Sequence, residues 1–396
     1  MHDSEPGRWG IPRRVWTLGW VSFFADTSTE IIYPIVPLFL TRVLGAPMAI
    51  VGLVEGLAEA TANVFKGWSG LHSDRIGKRK PFVEWGYGLS AVGKPLLALA
   101  FAWPVVVFAR VLDRFGKGLR TSARDALIAD VAPKETAGKI FGMHRTMDTA
   151  GALLGVVILL GLIALLNDQY KTIFLIAFVP GVVAWYLTTR IQESSPAVSK
   201  EERKKVSWRS LPSSFWWVMV PNLVFALANS SDAFLLLRAK DLHLTDFSVV
   251  FAYMAYNITY VLVSYPAGRL SDKVGRWWLM GSSWVLYALV YVGFALTGAS
   301  ALWPLFLLYG IYIGISQGVS KALVADNAPK EAKGTAMGVF NLLTGFAALG
   351  ASGLTGLLWD YVGFSVAFLV AAGLAVVAVA LVPLAITKSR SATSVA

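Results

Sequence analysis

The sequence predicts an all-α integral membrane protein with twelve transmembrane helices in two six-helix bundles related by pseudo-two-fold symmetry. Three observations support this fold class: an apolar composition, twelve long apolar runs, and an internal repeat with a period of about half the chain. Hydrophobic residues make up 56% of the 396 residues and charged residues only 15%, with a mean hydropathy of +0.60. Soluble domains carry about a quarter charged residues. A secreted domain, a disordered chain and an ordinary soluble enzyme are therefore excluded.

Each apolar run is long enough to cross a bilayer, which takes about 20 residues. In the first half the runs lie near 16–41, 47–70, 82–102, 104–123, 140–166 and 170–189. In the second half they lie near 214–237, 247–268, 277–298, 301–320, 334–358 and 363–386. We therefore expect an N-terminal six-helix bundle over 1–189, a charged cytoplasmic linker over 190–212 and a C-terminal six-helix bundle over 213–396.

The net charge of +11 is explained by membrane topology. With the N-terminus inside, the segments on the predicted cytoplasmic side hold 25 of the 35 Lys and Arg residues, and the opposite side holds four. This excess is the positive-inside pattern of membrane proteins. The sequence therefore predicts a multi-pass protein of the bacterial inner (plasma) membrane with both termini in the cytoplasm, and it gives no support for a nucleic-acid partner.

Two sequence motifs each occur twice. The ten residues from Gly70 to Arg79 recur from Gly268 to Trp277, and the stretch 126–135 recurs at 322–331. Each copy follows the second or the fourth span of its half, so both copies lie on the same side of the membrane. The two halves are therefore expected to be parallel repeats about an axis along the membrane normal.

The repeated loops resemble the signature between the second and third, and the eighth and ninth, helices of the major facilitator superfamily. The run Arg114–Gly118 is similar to the Arg-x-x-x-Gly motif of that superfamily, with Lys117 where Gln is common. The antiporter motif of the fifth helix is present only in part, because Gly151 and Gly155 are followed by Val156 where the motif has Pro.

The resemblance implies secondary transport by alternating access, with the repeated loops as latches of a cytoplasmic gate. Within each loop we expect the glycines to permit a tight turn and the Asp to cap the next helix or lie near its positive N-terminal end. Arg145 and Asp148, three residues apart at the start of the fifth helix, add a candidate gate pair. The loop members of the predicted gate are Gly70, Asp74, Arg75, Gly77, Gly268, Asp272 and Gly275.

The charges within the predicted spans are concentrated in the first half, and the second half supplies Asp232 alone. Each costs at least about 2.5–3.5 kcal/mol at the bilayer centre, so such residues should pair or line a wet cavity. Asp26 and Glu30 share a helix face with Tyr33. Two carboxylates at such a short distance repel each other, so one of them is expected to hold a proton. We expect Asp26 and Glu30 to form the proton-coupling site with Arg114 as their charge partner. The alternatives are that a neighbouring Arg neutralises both carboxylates, or that Arg114 forms a purely structural pair.

Polar and aromatic residues on shared helix faces form the predicted substrate site. The alternative for the tyrosines is ordinary packing. The predicted substrate-binding residues are Tyr33, Arg110, Lys117, Asn229, Asp232, Tyr253, Tyr256, Asn257 and Tyr260.

The favoured function is proton-coupled export of a drug-like or charged metabolite, with a small molecule, protons and the lipid bilayer as partners and a monomer as the expected state. A proton symporter of an organic anion is the first alternative. A divalent-metal exporter using Asp26, Glu30, His144 and Asp148 is a weaker one. The chain has no cysteine, which excludes thiolate metal sites, and no phosphate-binding loop for ATP. No enzymatic activity and no cofactor are expected.

Overall fold

The computed structural model describes residues 11–132, 136–167, 169–191, 193, 208–329 and 332–393. Within these ranges the side chains of Leu71, Asp74, Arg75 and residues 390–393 are not described. Every regular element among the described residues is helical, and the predicted linker falls largely outside them.

Fourteen α-helices occur in the described ranges. Those of the first half are α1 Arg13–Ile32, α2 Val36–Leu38, α3 Met48–Ile76, α4 Lys80–Ala98, α5 Trp103–Ala129, α6 Ala137–Leu166 and α7 Tyr170–Thr189. Those of the second half are α8 Ser213–Ala228, α9 Ala233–Asp241, α10 Asp246–Val274, α11 Arg276–Leu296, α12 Leu302–Asp326, α13 Lys333–Tyr361 and α14 Phe364–Thr393.

These helices correspond to the twelve predicted spans, because α1 with α2 and α8 with α9 each form one interrupted span. Ten of the spans are long and apolar enough to cross a membrane. The other two, α4 and α5, carry several charges, among them Lys94, Arg110 and Asp113. The predicted all-α membrane fold with twelve long helices is confirmed.

The four helices α3, α5, α10 and α12 continue beyond the ends of their predicted spans. The second helix continues to Ile76 rather than stopping near residue 70, and the fourth continues to Ala129 rather than 123. Most of the first repeated motif is therefore helical, and the turn itself is confined to the few residues from Gly77 to Arg79. The ends of these helices are polar, so a hydropathy analysis assigns them to loops, although helical backbone hydrogen bonding continues through them.

The described residues fall into two compact units, bounded by Met1–Ala46 with Leu57–Arg203, and by Pro47–Gly56 with Lys204–Ala396. In the first unit α1 packs on α6 and α7, and α4 packs on α5 and α7. In the second, α8 packs on α14, α10 on α12, and α11 on both α12 and α14. The division into bundles at 1–189 and 213–396 stays a prediction.

The first unit uses small residues for close helix packing. A Cβ built on Gly151 of α6 would lie 2.2 Å from the Phe23 carbonyl oxygen of α1, and one on Gly155 would lie 2.5 Å from that of Thr27. The Thr27 hydroxyl also donates to the Gly151 carbonyl at 3.0 Å. The partial motif of the fifth helix therefore serves backbone contact between α1 and α6.

Candidate functional site

Two carboxyl groups meet between α1 and α6 of the first unit. Asp26 and Asp148 share a side-chain hydrogen bond. Because an ionised carboxylate can only accept, one member of such a pair must carry a proton. The structure therefore brings the predicted coupling residue Asp26 into contact with a residue that the sequence assigned to the gate.

Two arginines hold the Asp148 side of this pair. The Arg145 guanidinium lies 2.8 Å from Asp148 Oδ2, as the spacing of the two residues predicted, and Arg124 lies 3.7 Å from Oδ1. Lys117 and Arg120 of α5 interact electrostatically with Asp26. The carboxyl pair thus lies among four cations.

A hydrogen-bonded group lies beside the carboxyl pair. Ser22 Oγ of α1 is 3.0 Å from His144 Nε2, 3.2 Å from the Tyr87 hydroxyl and 3.1 Å from Arg124 Nη1, which donates to it. His144 is buried. Sequence reasoning missed Arg124 because it placed residues 120–139 in a loop. The polar face of α5, continued past residue 120, was the signal that could have found it.

A second cluster is buried at the contact of α4 and α5. Lys94 Nζ donates to Asp113 Oδ1 at 2.7 Å, and Ser90 Oγ donates to the same oxygen at 2.5 Å. Lys94 and Asp113 are only 1% and 2% exposed, so this is an ion pair removed from solvent. Arg110 and Arg114 each lie 3.9 Å from Asp113 Oδ2, which makes Asp113 the shared counter-ion of three cations.

Tyr33 joins this cluster to the first helix. The Arg110 and Arg114 guanidinium carbons lie 5.5 and 5.7 Å from the centre of its ring, within cation–π range. Arg110 of the predicted substrate site and Arg114 of the predicted coupling site therefore contact the same ring, and Lys117, on the same helix, is exposed. Glu30 lies beside Gly155, where a built Cβ would be 2.9 Å from its own. The roles proposed for these residues stay predictions.

The second unit places its polar residues at an interruption of the seventh span. Helix α8 ends at Ala228 and α9 begins at Ala233, so Asn229 and Asp232 lie in a non-helical break. The Tyr256 hydroxyl donates to Asp232 Oδ2 at 2.7 Å, and the Tyr309 hydroxyl donates to Oδ1 at 2.5 Å. The predicted members Asn229, Asp232 and Tyr256 thus belong to one region of the unit.

The other predicted members of this face differ in environment. Tyr253 is 4% exposed and packs edge-on against Tyr256 at 5.1 Å. Asn257 donates to the Tyr253 carbonyl one turn back on its own helix. Tyr260 is partly exposed and donates to Gln317 Oε1 at 3.1 Å. Shared helical spacing therefore did not place the three tyrosines in equal contact with Asp232.

Sequence reasoning missed a group of buried tyrosines behind Asp232. Tyr312 donates to Asn229 Oδ1 at 3.2 Å, and Tyr287 donates to the carbonyl of Ala228, the last residue of α8, at 2.6 Å. The rings of Tyr287 and Tyr291 stack at 4.0 Å. The signal was present in the sequence as tyrosines four residues apart on α11, and the partner could be known only from the packing.

In each unit an ion pair joins the two repeated motifs, although the two arginines stand one position apart in the repeat. In the first, Arg79 contacts Asp130 at the end of α5. In the second, Arg276 Nε lies 2.9 Å from Asp326 Oδ2 at the end of α12. In both cases the first repeated motif is therefore tied to the second.

The individual gate residues divide into those seen and those outside the described part. Gly77 and Gly275 adopt φ of +69° and +94°, the left-handed turn expected of glycine. Asp272 lies 3.6 Å from Arg276, and α11 receives no side-chain cap. Of the two expected roles of this Asp, capping is therefore wrong, and an interaction with the positive N-terminal end of the helix stays a prediction. The side chains of Asp74 and Arg75 lie outside the described ones.

Gly70 and Gly268, the remaining glycines of the predicted gate, differ in how closely other atoms approach them. A Cβ on Gly70 would lie 3.2 Å from Ser122, whereas one on Gly268 would meet nothing within 4 Å. Close approach therefore explains only the first copy. Gate function itself stays a prediction.

Sequence comparison fixes the family. The model of the Major Facilitator Superfamily matches residues 18–237 and 218–395. The chain belongs to the major facilitator superfamily. The resemblance of the repeated loops to the signature of that superfamily is thereby confirmed, and the protein is a membrane-embedded transporter of a small solute.

Relatives within the superfamily differ in how specifically they are described. An uncharacterised transporter of Methanocaldococcus jannaschii is 37% identical over 356 residues, covering 88% of this chain and 89% of that one. Multidrug resistance protein MdtH of Proteus mirabilis is 26% identical over 341 residues, covering 84% and 82%. The fold is similar to the crystal structure of a bacterial homologue of the human lysosomal transporter Spinster, with a TM-score of 0.79 at 14% identity over 94% of this chain and 96% of that one.

Among the described residues, no group of three or more His, Cys, Asp or Glu side chains could hold a metal ion.

Proposed function

We propose that this superfamily member is a proton-coupled antiporter that exports a small drug-like or charged solute. The observation that carries the proposal is the hydrogen bond between Asp26 and Asp148. A carboxyl pair that shares one proton is a site that can load and release it. The protein would act as a monomer in the bacterial inner membrane, with both termini in the cytoplasm.

The surroundings of the pair supply a physical reason for coupling. When the proton leaves, the two carboxylates repel each other, and each has cations of its own: Arg124 and Arg145 for Asp148, and Lys117 for Asp26. Loss of the proton therefore favours separation of α1 from α6 at this point, and protonation favours their contact. Such a two-state element is what coupling between a proton and a conformational change requires.

Of the residues proposed to bind substrate, Tyr33, Arg110 and Lys117 belong to the first unit, and the second unit holds Asn229, Asp232, Tyr253, Tyr256, Asn257 and Tyr260. The ion pairs Arg79–Asp130 and Arg276–Asp326 would serve as the latches of the cytoplasmic gate. Their corresponding placement in two copies supports a shared mechanical role.

The direction of transport is supported by a relative. The MdtH proteins carry a name that states multidrug resistance, and export is the way a transporter confers resistance. A second candidate is proton symport of an organic anion, which is favoured by the two guanidinium groups over Tyr33, since guanidinium binds carboxylate and phosphate well.

The test uses everted membrane vesicles that contain the protein and in which respiration acidifies the lumen. For an exporter, ethidium accumulates in the lumen as protons leave it, and nigericin, which collapses the pH gradient, releases the dye. The matched control is vesicles without the protein. Accumulation that persists after nigericin would contradict proton coupling. Solute moving out of the lumen together with protons would support the symporter instead.

A further inference from the structure

We propose that the turn between α10 and α11 binds the headgroup of an anionic phospholipid, with Arg269 and Lys273 as the groups that hold its phosphate. The inference goes beyond the proposed transport reaction, because it concerns the exposed surface of the second unit and depends on neither the solute nor the coupling ion. It is carried by the position of these two cations at the end of an exposed apolar helix face.

One face of α10 is exposed and apolar over most of the length of the helix. Its members recur at intervals of three, four or seven residues, which places them on one side of a helix. An exposed apolar face of this kind suits contact with lipid acyl chains. The members are Phe247, Phe251, Ile258, Leu262 and Tyr265.

The length of this face matches the hydrocarbon layer of a bilayer. From Phe247 to Tyr265 a helix rises about 27 Å at 1.5 Å per residue, and the hydrocarbon core is about 30 Å thick. Tyr265 is 73% exposed, and Trp278 near the start of α11 is 79% exposed. Tyrosine and tryptophan are enriched at the level of the lipid headgroups, so we place the turn between the two helices at that level.

Arg269 and Lys273 continue the same face beyond Tyr265. They follow it by four and eight residues, which is about one and two helical turns, and both side chains are exposed. The Arg269 guanidinium carbon lies 5.9 Å from the centre of the Tyr265 ring, within cation–π range. The two cations thus stand where the apolar face ends and lipid phosphate groups begin.

The acidic residues near the turn are held by a third cation. Arg276 Nη2 lies 3.6 Å from Asp272 Oδ1, and its Nε lies 2.9 Å from Asp326 Oδ2. Within the part of the chain that the structure describes, neither Arg269 nor Lys273 forms an ion pair. Their charge therefore complements a phosphate, which guanidinium can bind through two parallel hydrogen bonds.

An anionic phospholipid fits both parts of this surface. Its phosphate meets Arg269 and Lys273, and its acyl chains lie along Leu262 and Ile258. Basic residues at a membrane surface attract anionic lipids. Inorganic phosphate would meet the charges alone, and a zwitterionic lipid would bring a cation of its own to the same place.

The test measures lipid binding to the purified, delipidated full-length protein by native mass spectrometry. Phosphatidylglycerol and phosphatidylcholine are titrated into wild-type protein, Arg269→Gln, Lys273→Gln and the double variant. Lys333→Gln, which removes an exposed cation of the same unit, is the matched control. We expect each single substitution to weaken binding of the first phosphatidylglycerol by roughly fivefold and the double variant to weaken it further. Phosphatidylcholine binding, and phosphatidylglycerol binding by the control, should change much less.

Two results of this titration would overturn the inference. One is unchanged phosphatidylglycerol binding in the double variant. The other is an equal loss in Lys333→Gln and Arg269→Gln, which would show an effect of net charge without a site. Inorganic phosphate should not displace the bound lipid, because it has no acyl chain for the apolar face, and displacement by it would contradict a lipid as the ligand.

A measurement on wild-type protein keeps the test independent of variant folding. The protein is placed in phosphatidylcholine vesicles with a small fraction of phosphatidylglycerol that carries a photoreactive headgroup, and cross-linked peptides are located by mass spectrometry. Cross-links should concentrate in residues 265–278, and unlabelled phosphatidylglycerol should suppress them. Cross-links spread evenly over the exposed helix ends of the second unit would overturn the proposal.

The lipid site and the antiport proposal fail separately. Lipid binding and cross-linking are measured without transport, so their failure leaves ethidium accumulation unexplained by nothing new and the antiport proposal intact. Accumulation that ignores the pH gradient would end the antiport proposal and leave the lipid site standing.

Discussion

Asp26 of α1 and Asp148 of α6 are joined by a hydrogen bond between their carboxyl groups, a contact that requires a proton on one of them. Arg145 holds Asp148 at 2.8 Å from the same helix. The pair therefore combines a site for one proton with a fixed charge that helps to expel it. This relationship is the basis of the proposed coupling, and the first prediction follows from it.

Replacing Asp26→Asn should abolish accumulation driven by the pH gradient. The amide can still hydrogen-bond to Asp148, so folding should be retained, but it cannot take up and release the proton. Exchange of labelled for unlabelled ethidium across proteoliposomes needs no net proton movement and should continue. Glu84→Gln, which alters a partly exposed carboxylate 3.4 Å from Lys80, serves as the control and should accumulate dye as the wild type does. Gradient-driven accumulation in Asp26→Asn would refute the role of this residue.

The buried cluster of α4 and α5 predicts an unequal effect of its two partners on stability. Asp113 neutralises Lys94 directly and lies near Arg110 and Arg114, so Asp113→Asn leaves three cations without their shared counter-ion. Lys94→Met leaves Asp113 with two arginines. Breaking a buried ion pair costs about 3–5 kcal/mol, and we expect Asp113→Asn to reach this range and Lys94→Met to cost less. Thermal unfolding of the purified variants measures the order, and the reverse order would contradict the shared-counter-ion description.

The Arg276–Asp326 pair predicts a change in transport rate with little change in stability. Asp326 is about half exposed, and exposed ion pairs contribute less than about 1 kcal/mol. Arg276→Glu should therefore slow turnover through charge repulsion at the latch while its melting temperature stays near that of the wild type. Adding Asp326→Arg restores an opposite-charge pair and should recover part of the rate. Transport by Arg276→Glu at the wild-type rate would remove the latch role.

Helix α6 offers a matched pair of glycine substitutions. Gly151→Ala places a methyl group against the Phe23 carbonyl and should destabilise the protein by about 1–3 kcal/mol, the usual cost of overpacking. Gly161→Ala meets nothing within 4 Å and should be neutral or stabilise by up to roughly 1 kcal/mol, since alanine favours a helix interior. Thermal unfolding compares the two. A Gly151→Ala variant as stable as Gly161→Ala would show that the contact of α1 with α6 can relax.

The fold could be predicted from the sequence because it depends on local and repeated signals. Apolar runs longer than a bilayer and the duplicated loop motifs are read directly from the residues. Helix ends were less predictable. The last helical turns of α3 and α5, beyond residues 70 and 123, are polar, and a hydropathy analysis therefore assigns them to loops.

The site could be predicted only in part. The spacing of Arg145 and Asp148 predicted their contact correctly, because residues three apart meet on one helix. The contacts of Asp26 with Asp148, and of Asp232 with Tyr309, join residues far apart in sequence and depend on which helices pack together. The break of the seventh span over 229–232 had a signal in the sequence, because four consecutive polar residues interrupt an apolar run there and such clusters favour loops.

The central claim is that the proton held by Asp26 and Asp148 moves opposite to the solute. Its most direct test starts from proteoliposomes with a tetraphenylphosphonium gradient, equal pH on both sides, a membrane potential clamped at zero by valinomycin and potassium, and a pH-sensitive dye in the lumen. The wild type should move protons against the solute flux, and both Asp26→Asn and Asp148→Asn should move none. Solute flux without lumenal pH change in the wild type, or proton flux in the two variants equal to that of the wild type, would contradict the account.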